Sequence, residues 1–100
     1  MTREVSRAEL RARLAAGKAV VIVDVRSAEE FEAGHIPGAV HVPVADIEAD
    51  PTRLPLDRPL VTACGKGGGR SEGAAAALAA AGAVDVGFLE GGTFGWLADT

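Results

Sequence analysis

Ala63-Cys64-Gly65-Lys66-Gly67-Gly68-Gly69-Arg70-Ser71 is the stretch around which the fold is read. A short apolar run, Leu60 to Ala63, enters it and an alanine-rich run, Gly73 to Ala81, leaves it. It is therefore expected to be a loop from the C-terminal end of a strand to the N-terminus of a helix. In α/β proteins that place binds anions, because unpaired N–H groups of the first helical turn and the positive end of the helix dipole meet there. Gly65, Gly67, Gly68 and Gly69 let further N–H groups turn inward without a Cβ in the way. Lys66 and Arg70 add full positive charges, and Cys64 is the only cysteine. A thiol of reference pKa about 8.5 can fall to roughly 3.5–7.5 in electropositive, partly exposed surroundings, so a thiolate nucleophile inside an anion cradle is the central expectation. The competing reading is a small buried hydrophobe at a strand end. Against it, every residue from Gly65 to Ser71 is glycine, cationic or hydroxylic, and no acid occurs before Glu72.

One hundred residues are expected to form a single domain, 1–100, with one modest core. Only 4% of the residues are aromatic, so that core must be built from Val, Leu, Ile and Ala. A net charge of -4 offers no broad basic surface, and no nucleic-acid partner is expected. Met1-Thr-Arg-Glu-Val-Ser-Arg lacks the apolar centre of a secretion signal, and no run approaches membrane-spanning length. No membrane partner and a cytoplasmic location are the resulting expectations. A lone cysteine makes no intrachain disulfide, and a reducing compartment would keep it available for chemistry.

In chain order, Ser6 and Glu9 have capping-box spacing, with Val5 and Leu10 placed as a hydrophobic staple, and Gly17 closes the helix they start. Ala19 to Val25 is almost continuously β-branched, which suits a central parallel strand covered on both faces. A second capping box, Ser27 to Glu30, opens a short helix ending near Gly34, and Ala39 to Val42 reads as a short strand. A helical turn is expected over Val44 to Ala49, after which Pro51, Pro55 and Pro59 forbid regular helix. Leu60 to Ala63 is the strand carrying the loop, and Ala74 to Ala81 is a helix stopped by Gly82. Val84, Val86 and Phe88 alternate as in a strand with one wetter face, Gly91-Gly92 is a tight turn, and Thr93 is placed to cap a last turn containing Phe94 and Trp96.

Asp24-Val25-Arg26, Glu30-Phe31, Gly34-His35-Ile36-Pro37-Gly38-Ala39, the Cys64 to Ser71 loop, and Leu89-Glu90-Gly91-Gly92 with Trp96 together resemble the single-domain rhodanese family, over nearly the whole chain. The resemblance implies a rhodanese-like α/β fold: a parallel sheet of about five strands flanked by helices on both faces. It also implies a thiosulfate sulfurtransferase in which Cys64 cycles between thiolate and persulfide. The donor would be thiosulfate or a similar small anion, the acceptor cyanide, a thiol or a protein. Gly65, Lys66, Gly67, Gly68, Gly69, Arg70 and Ser71 would form the substrate-binding loop. Lys66 matches a lysine two residues after the cysteine in thiosulfate-using members, and the alternative for it is a solvated surface charge. Arg70 matches an arginine that opens the helix, or else ties the loop to Asp24 or Glu90. Asp24 and Arg26 are expected to brace the loop through charged hydrogen bonds. His35, in a Gly-His-Ile-Pro-Gly turn, and the isolated His41 lack further ligands at metal spacing, so neither a metal nor a cofactor is expected.

One departure bears on substrate. Sulfurtransferases of this size have four residues between cysteine and arginine, whereas five separate Cys64 from Arg70. Dual-specificity phosphatases and arsenate reductases have five, around a tetrahedral oxyanion. The phosphatase pattern is itself broken by Ala63, where a histidine often precedes the cysteine. The favoured expectation is that one of Gly67, Gly68 and Gly69 bulges outward and leaves a sulfur-sized cradle, with oxyanion chemistry and a non-catalytic sulfur-carrier module as the alternatives.

Overall fold

The β-branched run after Lys18 becomes an interior strand of the sheet, next to its middle strand. In the computed structural model, which describes residues 2–99, β2 (Val21–Asp24) pairs on one side with β4 (Leu60–Ala63) and on the other with β3 (Val40–His41). Beyond β4 lies β5 (Val86–Leu89), and beyond that β1 (Arg3–Val5). The order is β1-β5-β4-β2-β3, with every pair parallel. Met1 and Thr100, which the single-domain reading includes, lie outside the described residues.

Side chains alternate across the pleat and build a core on each face. Val23, Leu60 and Val86 pack with Ile47 of α3 (Val44–Ala49) and with Ala74, Ala75 and Leu78 of α4 (Gly69–Ala80). Ile22, Val61, Ala63, Leu89 and Val5 pack on the other face with Leu10 of α1 (Arg7–Ala15) and Trp96 of α5 (Gly92–Ala98). The remaining helix, α2 (Ala28–Ala33), follows β2. Helices thus cover both faces, as the resemblance implies.

Both N-caps form. Ser27 and Glu30 complete a reciprocal capping box, and Ser6 Oγ accepts the Glu9 N–H at 3.0 Å. Glu9 does not return that bond, because its carboxylate is held by both Arg3 guanidinium nitrogens. Val5 and Leu10 are buried together, and Gly17 adopts φ 74 just past α1. The 44–49 helix stands as expected, and a single 3-10 turn, Pro51–Arg53, follows it.

Three expectations need correction. The 74–81 helix begins at Gly69, because the Gly68 carbonyl accepts the Glu72 N–H and carries the helix back into the loop. The last strand is shifted: Val84 is 69% exposed, Val86 and Leu89 are buried in the cores on opposite faces, and β1 pairs along the strand's edge. Gly87 has no room for a side chain there, as a Cβ would stand 2.6 Å from Val5 Cγ2 and 2.7 Å from the Arg3 carbonyl oxygen. Thr93 does not cap α5; Gly91 in a left-handed conformation stands at the N-cap, and the buried Thr93 Oγ1 has no hydrogen-bond partner among the described residues.

Candidate active site

The chain leaves β2 towards β3 and leaves β4 in the opposite direction, towards β5. Such a reversal opens a crevice at the carboxyl ends of the two central strands, where open α/β sheets bind ligands. Asp24 ends β2, and Cys64 follows β4 directly. Cys64 is only 4% exposed, more enclosed than the sequence implied, and packs on the α3/α4 face at the floor of its loop. Its thiol lies 3.4 Å from Ser71 Oγ and 3.7 Å from the Gly68 carbonyl oxygen, while the Ser71 hydroxyl donates to Gly68 O at 2.8 Å. Thr62, one residue behind Ala63, anchors that helical turn by donating to Ser71 O at 2.7 Å.

Among the described residues, none of the backbone N–H groups from Gly65 through Ser71 has a hydrogen-bond partner, and the last three open the 12-residue α4. Seven successive unpaired donors at the start of a helix are the raw material of an anion cradle. The ring around the sulfur is not made of donors alone, however. Gly67 and Gly68 adopt φ 91 and φ 69, and the Gly68 carbonyl faces the thiol and Ser71. Gly68 is therefore tied inward by its oxygen and is not a free outward bulge.

The carbonyls at the base of the loop are held by α5. Thr93 N–H donates to Cys64 O at 2.8 Å and Phe94 N–H donates to Gly65 O at 3.0 Å. Gly92 makes this approach possible: a Cβ on it would lie 2.5 Å from Cys64 O, 2.7 Å from Gly65 O and 2.7 Å from Gly67 N. Phe94, 52% exposed, lays its ring against Gly65, where a Cβ would meet Cε2 at 3.1 Å.

Asp24 and Arg26 bind each other and not the loop. Both are 1% exposed, joined by Nη2–Oδ2 at 2.7 Å and Nε–Oδ1 at 3.0 Å, and Arg26 also donates to Gly34 O at 2.7 Å. Arg70 pairs with Glu30, at 2.8 and 3.2 Å to its two oxygens, instead of with Asp24 or Glu90. His35 stacks on Phe31 with centroids 3.8 Å apart and its Nδ1 donates to Phe31 O at 2.9 Å, while His41 Nε2 donates to Arg26 O at 2.7 Å; neither bonds Cys64. Lys66 is exposed and has no hydrogen bond or ion pair among the described residues.

The Arg70 guanidinium, with further help from the Ser27 N–H, holds the Glu30 carboxyl down at about 2 from an ordinary 4.5. A depressed carboxyl stabilises the fold fully above its unfolded-state pKa and ceases to do so as pH falls through the folded one. The stability gap between the parent and Glu30→Gln is therefore expected to be open at neutrality and to close between about pH 4.5 and about pH 2, as chemical denaturation across that range would report. A gap independent of pH would contradict it.

Residues 6–99 match the family model described as the rhodanese-like domain. The chain belongs to that family. Over 78 residues this rhodanese-like chain is 41% identical to the thiosulfate sulfurtransferase GlpE of Pseudomonas savastanoi pv. phaseolicola, covering 78% of the chain and 73% of that protein. It is 47% identical over 60 residues, 60% of the chain, to the HTH-type transcriptional regulator Rv0324 of Mycobacterium tuberculosis, but spans only 26% of that protein's length. The solved structure of the human single-domain sulfurtransferase TSTD1 superposes with a TM-score of 0.85 at 32% identity, covering 100% of this chain and 99% of that one. No helix among the described residues is long and apolar enough to cross a membrane.

Proposed function

We propose that this rhodanese-like chain is a sulfurtransferase that carries sulfane sulfur on Cys64 from thiosulfate, or a similar small anionic donor, to a thiol, cyanide or a protein acceptor. The observation that carries this reading is the Cys64 sulfur, set against Gly68 O and Ser71 Oγ, at the start of a loop whose seven backbone N–H groups from Gly65 through Ser71 have no hydrogen-bond partner among the described residues. The thiosulfate sulfurtransferases among its relatives support it. In the first step the Cys64 thiolate attacks the outer sulfur of thiosulfate. A Cys64 S–S bond forms, the S–S bond of the donor breaks, and sulfite leaves with the electron pair. The persulfide keeps one negative charge on its terminal sulfur, which loop N–H groups are suited to stabilise. In the second step the acceptor attacks that sulfur, the new S–S bond breaks, and the Cys64 thiolate returns; with cyanide the product is thiocyanate. The Ser71 hydroxyl, 3.4 Å from Sγ, accepts from the thiol and by rotation donates to the thiolate, so it serves both protonation states.

Lys66 is an exposed cation two residues from the nucleophile, without a partner among the described residues, and is suited to a dianionic donor. Because it is exposed, its contribution belongs with surface ion pairs, about 0.2–1 kcal/mol. Lys66→Ala is expected to raise the half-saturating thiosulfate concentration roughly 1.4-fold to fivefold with little change in maximal rate. An unchanged value would return Lys66 to a solvated surface role.

The thiosulfate sulfurtransferases among the relatives favour sulfur transfer over oxyanion chemistry. The test is intact-protein mass after thiosulfate, with and without reductant. A reducible gain of one sulfur atom is expected. A gain without turnover on cyanide or thiols would make the chain a carrier module, and hydrolysis of aryl phosphates with no response to thiosulfate would make it a phosphatase.

A further inference from the structure

We propose that Arg7, at the first position of α1, is a positioning residue for the Cys64 loop, acting through α5. Its guanidinium is threaded into the turn before that helix. Nη1 reaches Glu90 O at 3.3 Å and Nε reaches Asp99 Oδ2 at 2.6 Å, so one side chain grips both ends of α5. The Arg7 backbone N–H also meets Glu90 Oε1 at 3.4 Å, and Glu90 N–H donates to Val5 O at 2.9 Å. The close fit explains two glycines. A Cβ on Gly91 would collide with Arg7 Nη1, and a Cβ on Gly95 would lie 3.0 Å from it.

What α5 delivers is specific to the site. Its Thr93 and Phe94 N–H groups bind the carbonyls of Cys64 and Gly65, and those two peptide groups set which way the Gly65 and Lys66 N–H groups face. A peptide is planar, so a carbonyl held on one side turns the N–H of the next residue to the other. Arg11 steadies the same helix farther along, over the Trp96 ring at 3.9 Å, against Trp96 O at 2.9 Å and 3.9 Å from Asp99 Oδ2. Arg7 is thus the contact that fixes the end of α5 adjoining the nucleophile.

The experiment compares Arg7→Ala, Asp99→Ala, which frees the same grip from its other end, and Arg3→Ala, whose exposed pair with Glu9 lies outside the grip. Two rates are read on folded protein: alkylation of Cys64 by iodoacetamide, and single-turnover sulfur loading from thiosulfate. The second rests on the sulfurtransferase reading and the first does not, so a wild type that never loads sulfur leaves the alkylation comparison to decide. Displacing a reacting group by a fraction of an ångström is costly, and Arg7→Ala is expected to slow both rates about tenfold or more, with thiosulfate half-saturation moving less than about twofold. Asp99→Ala is expected to give a smaller loss in the same two readouts, Arg3→Ala none. Should Arg7→Ala fail to fold, Asp99→Ala decides. Folded variants that alkylate at the wild-type rate, or an equal loss in Arg3→Ala, would overturn the proposal.

Discussion

Cys64→Ser is expected to abolish sulfur loading while leaving the fold in place. The chain has no second thiol to take over, so the reducible mass gain after thiosulfate should vanish entirely. A serine hydroxyl at this position keeps acceptors at Ser71 Oγ and Gly68 O, and the structural cost should stay near about 1 kcal/mol. Its reactivity does not survive, because a hydroxyl is a weak nucleophile without an adjacent base, and neither histidine bonds this position. Intact mass of the variant, beside a denaturation curve showing that it is folded, checks the expectation. A sulfur gain equal to wild type in the variant would remove Cys64 from its role and with it the proposed reaction.

The largest effect on stability is expected at Arg26. Removing it by Arg26→Met strands the Asp24 carboxylate at 1% exposure, leaving it one backbone donor, the N–H of residue 26, where it had the guanidinium as well. It also takes the donor from Gly34 O. An uncompensated buried charge of this kind costs about 3–5 kcal/mol, a large share of the roughly 5–15 kcal/mol that holds a domain folded. Arg26→Lys should recover only part of the loss, because a single ammonium does not reproduce the fork across both Asp24 oxygens and the Gly34 carbonyl. The urea midpoint at unchanged slope is the measurement. A loss below about 1 kcal/mol in Arg26→Met would mean that the pair is not the internal brace its geometry describes.

That brace illustrates what a sequence pattern conveys. Asp24 and Arg26 are two residues apart at the end of a strand, so their proximity is local and legible, but nothing local says that they satisfy each other and leave the loop alone. The same division runs through the chain. The strands 21–24 and 60–63 and both serine caps are written in short-range patterns, β-branched runs and an oxygen placed to meet an N–H three residues on, and they form as those patterns predict. Local patterning fails where a partner is remote. β1 is three residues long and is a strand only because β5 lies beside it, and α4 reaches back to Gly69 against the glycine content of that stretch because Gly68 O and Thr62 supply bonds from outside the helix.

By itself, then, the sequence determined the central strands, the loop between strand and helix, and the thiol within it, because each depends on neighbours within a few residues. Only the tertiary structure decided that Arg70 serves Glu30, 40 residues away, and that Arg7 holds a helix more than 80 residues on. It alone turned the Gly68 carbonyl towards the sulfur. Charged and carbonyl groups take whichever partner the packed sheet brings within hydrogen-bond range, and that depends on strand order, which no local run of residues encodes.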